Sequence, residues 1–266
     1  MFKRLFVTGA AIGAASAWAG FVAARTIWRQ WGIEPAEQTI ALPGDDLVPA
    51  AGAVETRGID IAAPPSAVWP WLVQMGYGRA GWYSYDGLDI DKPSLDRIVP
   101  ELQSIEVGNV MPTHPGGGFV VKVVEPEHAL VVYNDRATVE AQAATSRGAS
   151  GGGIEAASPN VRVTGAYLDR AVPGEFEASW AFVIEPTATG TRLVERFRAR
   201  MEPPKRPSGQ PFSIPGFAFS LLGFGVFVMV RRQMLGIRDR AEGRPIRPSI
   251  LFRTARPMGR AAIRPA

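Results

Sequence analysis

From Glu175 to Glu185 the chain alternates residue by residue, with Phe176, Ala178, Trp180, Phe182 and Ile184 on one side. A period of two marks a strand with one face in a core. Thr187 to Gly190 then turns the chain into Thr191–Arg200, where Leu193, Glu195 and Phe197 share one face and Arg192, Arg196, Arg198 and Arg200 share the other. Upstream, Thr56–Ala62 predicts a strand with Ile59 and Ile61 facing one way. Phe119–Glu125 and Ala129–Asn134 are β-branched runs parted by Pro126-Glu127-His128, the pattern of a hairpin. A weak strand is expected around Val161–Thr164. Between these, Pro64 and Pro65 suit the first turn of a helix running to Met75, with a kink at Pro70 and a C-cap at Gly76. One long helix is predicted over Pro215–Glu242, stopped by Gly243 and Pro245. Antiparallel strands with an early and a late helix make an α+β pattern.

Two further stretches are apolar without alternation. Leu5 to Ala24 holds no charge, is bounded by Lys3, Arg4, Arg25 and Arg29, and is long enough to cross about 30 Å of hydrocarbon. Ala17-Trp18-Ala19 has the form of a signal-peptide cleavage site. The apolar run continues past it to Trp28 and Trp31, placed as interfacial anchors, so we read an uncleaved single-pass anchor in the cell membrane. Phe212 to Val230 is also uncharged and apolar all round, which suits either lipid or burial on every side. The pattern of the body favours a helix packed on protein.

Composition sharpens this division. The chain has 266 residues and a formal charge of +4 with pI near 9.7, which taken alone suggests a nucleic-acid binder. The charges are segregated, however. Residues 1–31 carry four basic and no acidic groups, residues 32–200 carry 13 basic and 22 acidic, and residues 201–266 carry 12 basic and three acidic. The basic ends suit anionic lipid headgroups better than nucleic acid. Sidedness stays open, because two basic residues flank each end of the first segment. The absence of cysteine excludes disulfides and thiolate metal sites, and two histidines, His114 and His128, exclude a histidine-rich one. No metal or cofactor is called for.

The string Trp69-Pro70-Trp71-Leu72-Val73-Gln74-Met75-Gly76-x-Gly78-Arg79-Ala80-Gly81-x-Tyr83-Ser84-Tyr85-Asp86 and the late Arg231-Arg232-x-Met234-Leu235-Gly236-Ile237-x-x-Arg240-Ala241-Glu242 resemble the START-like, or SRPBCC, superfamily. The likeness covers about residues 42–242 and is greatest to its bacterial polyketide cyclase/dehydrase and lipid-transport-like branch. Gly87-Leu88-Asp89 departs from the branch's more usual Trp-Leu-Glu, and Ala141–Ser158 is a Gly/Ala/Ser-rich insertion. The resemblance implies a helix-grip fold, a curved antiparallel sheet wrapped on the C-terminal helix with an apolar cavity between them for a lipid-like or polycyclic ligand. Phe217, Leu221, Phe224 and Val228 would then be cavity wall or lid. The expected organisation is an anchor (1–31), a linker (32–54), a START-like domain (55–242, with a flexible insertion at 141–158) and a basic Pro/Arg-rich tail (243–266).

Several motifs lack the context they need. Gly76-Tyr77-Gly78-Arg79-Ala80-Gly81 satisfies a dinucleotide fingerprint but follows a helix rather than a strand. Gly148-Ala149-Ser150-Gly151-Gly152 satisfies a nucleophile pattern inside a small-residue tract. The candidate ligand-binding residues are Arg79, Tyr83 and Tyr85, on a loop between apolar elements, and Trp180, on the inward face of its strand. Glu195 and Asp86 are the candidate acid/base groups. Glu195 shares a face with Leu193 and Phe197, and it could instead be a rim carboxylate paired with an arginine. Asp86 could instead cap a short helix and pair with Arg79. The expectation is a membrane-anchored protein that binds a hydrophobic small molecule or lipid. The alternative is a cyclase or dehydratase using the same cavity.

Overall fold

The computed structural model describes residues 20, 26–88, 90, 92–149, 175–201 and 216–246. The expected membrane segment 5–24 apart from Gly20, the strand expected at Val161–Thr164, residues 150–158 of the insertion and the tail beyond residue 246 lie outside the described residues. So do the side chains of Phe217 and Leu221.

Alternation along the chain becomes a six-stranded sheet. Its strands are β1 (Ala53–Ile61), β2 (Val110–His114), β3 (Gly117–Glu125), β4 (Ala129–Asp135), β5 (Phe176–Thr187) and β6 (Gly190–Met201). All neighbours are antiparallel, in the order β1-β6-β5-β4-β3-β2. Register shifts at Pro112/His114 and Val121/Val123 bend the β2–β4 side, as bulges do. Helix α1 (Pro65–Val73) follows β1 with Pro64 as N-cap and Pro70 inside it. Helix α2 (Arg136–Ala149) follows β4, and its residues from Ala141 onward occupy the start of the stretch read as a flexible insertion. Helix α3 (Gly216–Ala241) closes the fold. Strand β2 escaped the sequence reading because five residues containing a proline carry too little alternation. Among the described residues, no helix is long and apolar enough to cross a membrane.

One face of the sheet holds the core. Ile59, Ile61, Val121, Leu130, Val132, Phe182, Ile184 and Leu193 meet Val68, Trp71, Leu72 and Met75 of the α1 region and Val230, Met234 and Ile237 of α3. Tyr83 joins the two helices. Its hydroxyl donates to the Trp71 carbonyl at 3.2 Å and its ring lies 4.4 Å beneath the Arg240 guanidinium. Helix α3 can come this close because Gly236 has no side chain: a Cβ there would stand 2.2 Å from the Tyr83 carbonyl oxygen.

Residues 37–48, within the stretch 32–54 read from sequence as a linker, are strapped to the face of the sheet opposite the core. The β6 arginines point outward, and buried guanidinium groups need acceptors. Arg192 holds the Glu37 carboxylate through Nε and Nη2 at 2.8 and 2.7 Å. Arg196, only 3% exposed, reaches Asp45 Oδ2 at 2.7 Å, the Ile40 and Glu37 carbonyls at 2.8 Å and Thr56 Oγ1 at 3.0 Å. Arg198 Nη2 donates to the Val48 carbonyl at 3.0 Å. Leu42 fills a small apolar cluster with Val183 and Val194.

Replacing Arg196 by alanine strands these acceptors. It should cost about 2–3 kcal/mol of stability and open residues 37–48 to limited proteolysis, read as a new early cleavage on gels of the full chain.

Candidate functional site

Strand alternation brings one charged pair onto the apolar face. Arg57 lies two residues before Ile59 on β1 and sits opposite Glu195 of β6 in the register. Neither has any exposed surface. Arg57 Nη1 donates to Glu195 Oε2 at 3.2 Å, its Nη2 is bonded to Glu55, and its Nε donates to the Trp28 carbonyl at 3.0 Å. The ring of Phe227, from α3, covers the guanidinium at 5.8 Å. The other Glu195 oxygen accepts from Trp180 Nε1 at 2.5 Å.

Burial pushes the Glu195 carboxyl above the usual carboxylate range, with Arg57 and Trp180 pulling against it. Burial works against the Arg57 charge too, yet Glu195 and Glu55 more than offset it and its pKa is raised. The carboxylate therefore has one oxygen on a cation and the other on an indole. Glu195 is paired with an arginine, as one sequence reading had it, but deep in the fold instead of at a rim.

The indole is fixed by this bond and by its neighbours. Trp180 stacks on Trp82 at 5.7 Å with 21° between planes, meets Phe119 edge-on at 6.1 Å and lies 4.8 Å from Phe182. Trp180, Phe119 and Phe197, the last opposite Trp180 in the register, are only half-buried. They line the end of the grip where α3 begins. Toward the C-terminal half of α3, Tyr83, Met234 and Ile237 fill the space between helix and sheet.

The loop residues have other tasks. Arg79 donates to the carbonyls of Met75, Val73 and Leu102 at 3.0–3.2 Å, ending α1, and lines a cleft of about 270 Å³ with Met75, Ile105, Asn109, Val110 and Met111. Burial lowers its pKa. Tyr83 is fully enclosed, and burial raises its phenol pKa. Asp86 accepts from Ser94 Oγ at 2.6 Å and from the Ser94 N–H at 3.0 Å, closing a loop. Tyr85 is half-buried beside it. The loop does not converge with Glu195 on one centre.

Within the fingerprint-like loop every amide of Gly76, Tyr77, Arg79, Ala80 and Gly81 donates to a backbone carbonyl, which leaves none of them for a phosphate. His114 and His128 lie at hairpin turns, His114 Nδ1 near the Pro115 carbonyl and His128 Nδ1 near the Ile184 carbonyl.

On α3, Phe224 is 44% exposed and meets Trp28 edge-on at 5.3 Å, while Val228 is half-buried. The residue that faces Arg57 is Phe227, one step along, which the sequence reading did not select. Arg57 and Phe227 were reachable by periodicity, Arg57 from Ile59 by two and Phe227 from Val230 and Met234 by three and seven. No group of metal-ligating side chains occurs among the described residues.

No family model and no curated protein matches the chain. Among solved structures it is similar to a protein of Mesorhizobium loti, at 14% identity over 72% of this chain and 98% of the other, with a TM-score of 0.34. It is also similar to one from Chromobacterium violaceum, at 12% identity over 71% and 96%, with a TM-score of 0.35. A third is the di-domain ARO/CYC StfQ of the steffimycin biosynthetic pathway, at 12% identity over 75% of this chain and 54% of StfQ, with a TM-score of 0.37. With overlap this loose, the α+β helix-grip assignment rests on the sheet order and the gripped helix α3 themselves.

Replacing Arg57 by methionine leaves Glu195 buried without a cation and should cost about 3–5 kcal/mol near neutral pH, whereas Arg57→Met with Glu195→Leu should recover most of it. Burial already raises the Glu195 carboxyl above its ordinary value of 4.5, and loss of the Arg57 cation should raise it further. Its contribution is then fully present below 4.5 and lost as pH rises through the folded value. Denaturation from pH 4 to pH 8 should show the deficit growing with pH.

Proposed function

We propose that the chain is a membrane-anchored START-like protein that holds a hydrophobic small molecule or lipid against the aromatic wall of its grip. The observation that carries this reading is Trp180, whose Nε1 is tied to buried Glu195 while its ring stays half-buried between Trp82 and Phe119. A flat ring fixed in advance meets an apolar ligand at little entropic cost. In this reading Glu195 is a positioning residue: it orients the indole and does not itself reach the ligand.

Residues 5–24 supply the anchor, with Trp28 and Trp31 at the interface. The basic tail 243–266 engages anionic headgroups, each charge adding about 1 kcal/mol. No cofactor or covalent step is required. Cyclase or dehydratase chemistry in the same groove would need Glu195 or Asp86 to exchange a proton; both Glu195 oxygens already hold partners, and Asp86 accepts from Ser94. Binding is therefore the reading we favour.

The test uses full-length protein in detergent and the neutral dye N-phenyl-1-naphthylamine. Tryptophan emission should pass to the bound dye. Phe227→Glu, which sets a carboxylate beside the aromatic wall, should weaken dye binding about tenfold or more at unchanged circular dichroism. Absence of dye binding by the folded wild-type chain would remove the reading.

A further inference from the structure

The point where the chain leaves toward residues 5–24 is held firmly. The Trp28 carbonyl accepts from Arg57 Nε and the Trp31 carbonyl from the Gly58 N–H, each at 3.0 Å. The Trp28 and Trp31 rings meet Phe224 and Phe227 of α3 edge-on at 5.3 and 6.4 Å. Beside this junction α3 is uncovered from Phe224 to Val226. Phe224 and Val226 are 44% and 43% exposed, and Ile27 is 68% exposed. A Cβ placed on Gly223 or Gly225 would meet nothing within 4 Å.

No charge occurs from Gly216 to Val230, and the first one after it, Arg231, lies over the Trp31 ring at 5.0 Å. At 1.5 Å per residue, Phe224 stands about 10 Å along the axis from Arg231. An interfacial helix buries its apolar face about 5–10 Å below the headgroups. A cation and a tryptophan at one level, with bare apolar side chains one insertion depth beyond, form the profile of a membrane–water boundary.

We propose that Ile27, Trp28, Phe224 and Val226 form a docking face for a lipid bilayer, inserted with Arg231 at headgroup level, so that the aromatic end of the grip opens onto the membrane. The inference rests on the anchored reading above and adds an orientation to it. Residues 26–31 are bonded to β1 and packed by their rings on α3, and residues 37–48 are bonded to β6, so the body is held close to its anchor. The ligand then passes between bilayer and aromatic wall along α3 without crossing bulk water.

Because the chain has no cysteine, single labels are unambiguous. Full-length Val226→Cys and Val107→Cys, each carrying a nitrobenzoxadiazole label, are placed in phosphatidylcholine/phosphatidylglycerol vesicles. Val107 is 64% exposed on the loop before β2, the sheet edge opposite β1. Nitroxide-bearing lipids should quench the label at 226 about twofold and leave that at 107 unchanged, with iodide quenching the reverse. Flotation of both proteins with the vesicles checks the anchor separately. A label at 226 open to iodide on protein that still floats overturns the docking face and leaves the anchor standing. A label at 226 shielded from both quenchers means that protein covers the patch, and it also overturns the proposal. Protein that does not float overturns both readings.

Discussion

A guanidinium with no exposed surface cannot be left unpaired, and the rest of the grip is arranged around that requirement of Arg57. Isolated ions in a protein interior cost several kcal/mol even after relaxation. Here the cost is met by Glu195 from β6, Glu55 from β1, the Trp28 carbonyl from the N-terminal turn and the Phe227 ring from α3. The pair adds little net stability over a well-packed apolar equivalent, but it ties four segments distant in sequence to one point. Its second consequence is the orientation of Trp180, since the Glu195 oxygen not facing Arg57 fixes the indole. Charge inside the fold thus shapes the apolar surface that a ligand would meet.

The outer side of the same strand follows the same logic. Alternation sends Glu195 inward and Arg192, Arg196 and Arg198 outward, and the outward set captures Glu37, Asp45 and the carbonyls of residues 37–48. Strand β6 therefore organises both faces of the sheet by hydrogen-bonded charge. The segment between the apolar N-terminus and the body is consequently part of the body. In a membrane-anchored chain this would convert a loose tether into a fixed mounting, which is the physical basis for the orientation inferred above.

Most strands and the long helix were legible because their periodicities are clean. Glu175–Glu185 and Thr191–Arg200 became β5 and β6 within two residues, and Pro215–Glu242 became α3 within one at each end. The inward face of β5, including Trp180, was legible for the same reason. What failed did so for identifiable reasons. Residues 32–54 have no period, so only the tertiary pairing of Glu37 and Asp45 with outward arginines shows that they are bound. The partner of Glu195 lies 138 positions away, and no local spacing reveals a cross-strand pair. For Arg79, Tyr83 and Asp86 the sequence left two readings open, because polar groups on a loop between apolar elements read alike whether they bind a ligand or their own backbone. Here they bind carbonyls and Ser94. An apolar helix such as the first half of α3 does not declare from sequence which side it covers, and so Phe224 was selected where Phe227 faces the sheet.

The central claim is that an apolar molecule occupies the aromatic end of the grip. Native mass spectrometry of the full-length chain, released from detergent micelles directly after purification, tests it most simply. The account predicts one bound organic molecule per chain, extractable into organic solvent and lost in the Phe227→Glu variant. A wild-type spectrum containing only the bare chain, with none restored after incubation with total lipid extract, would contradict it.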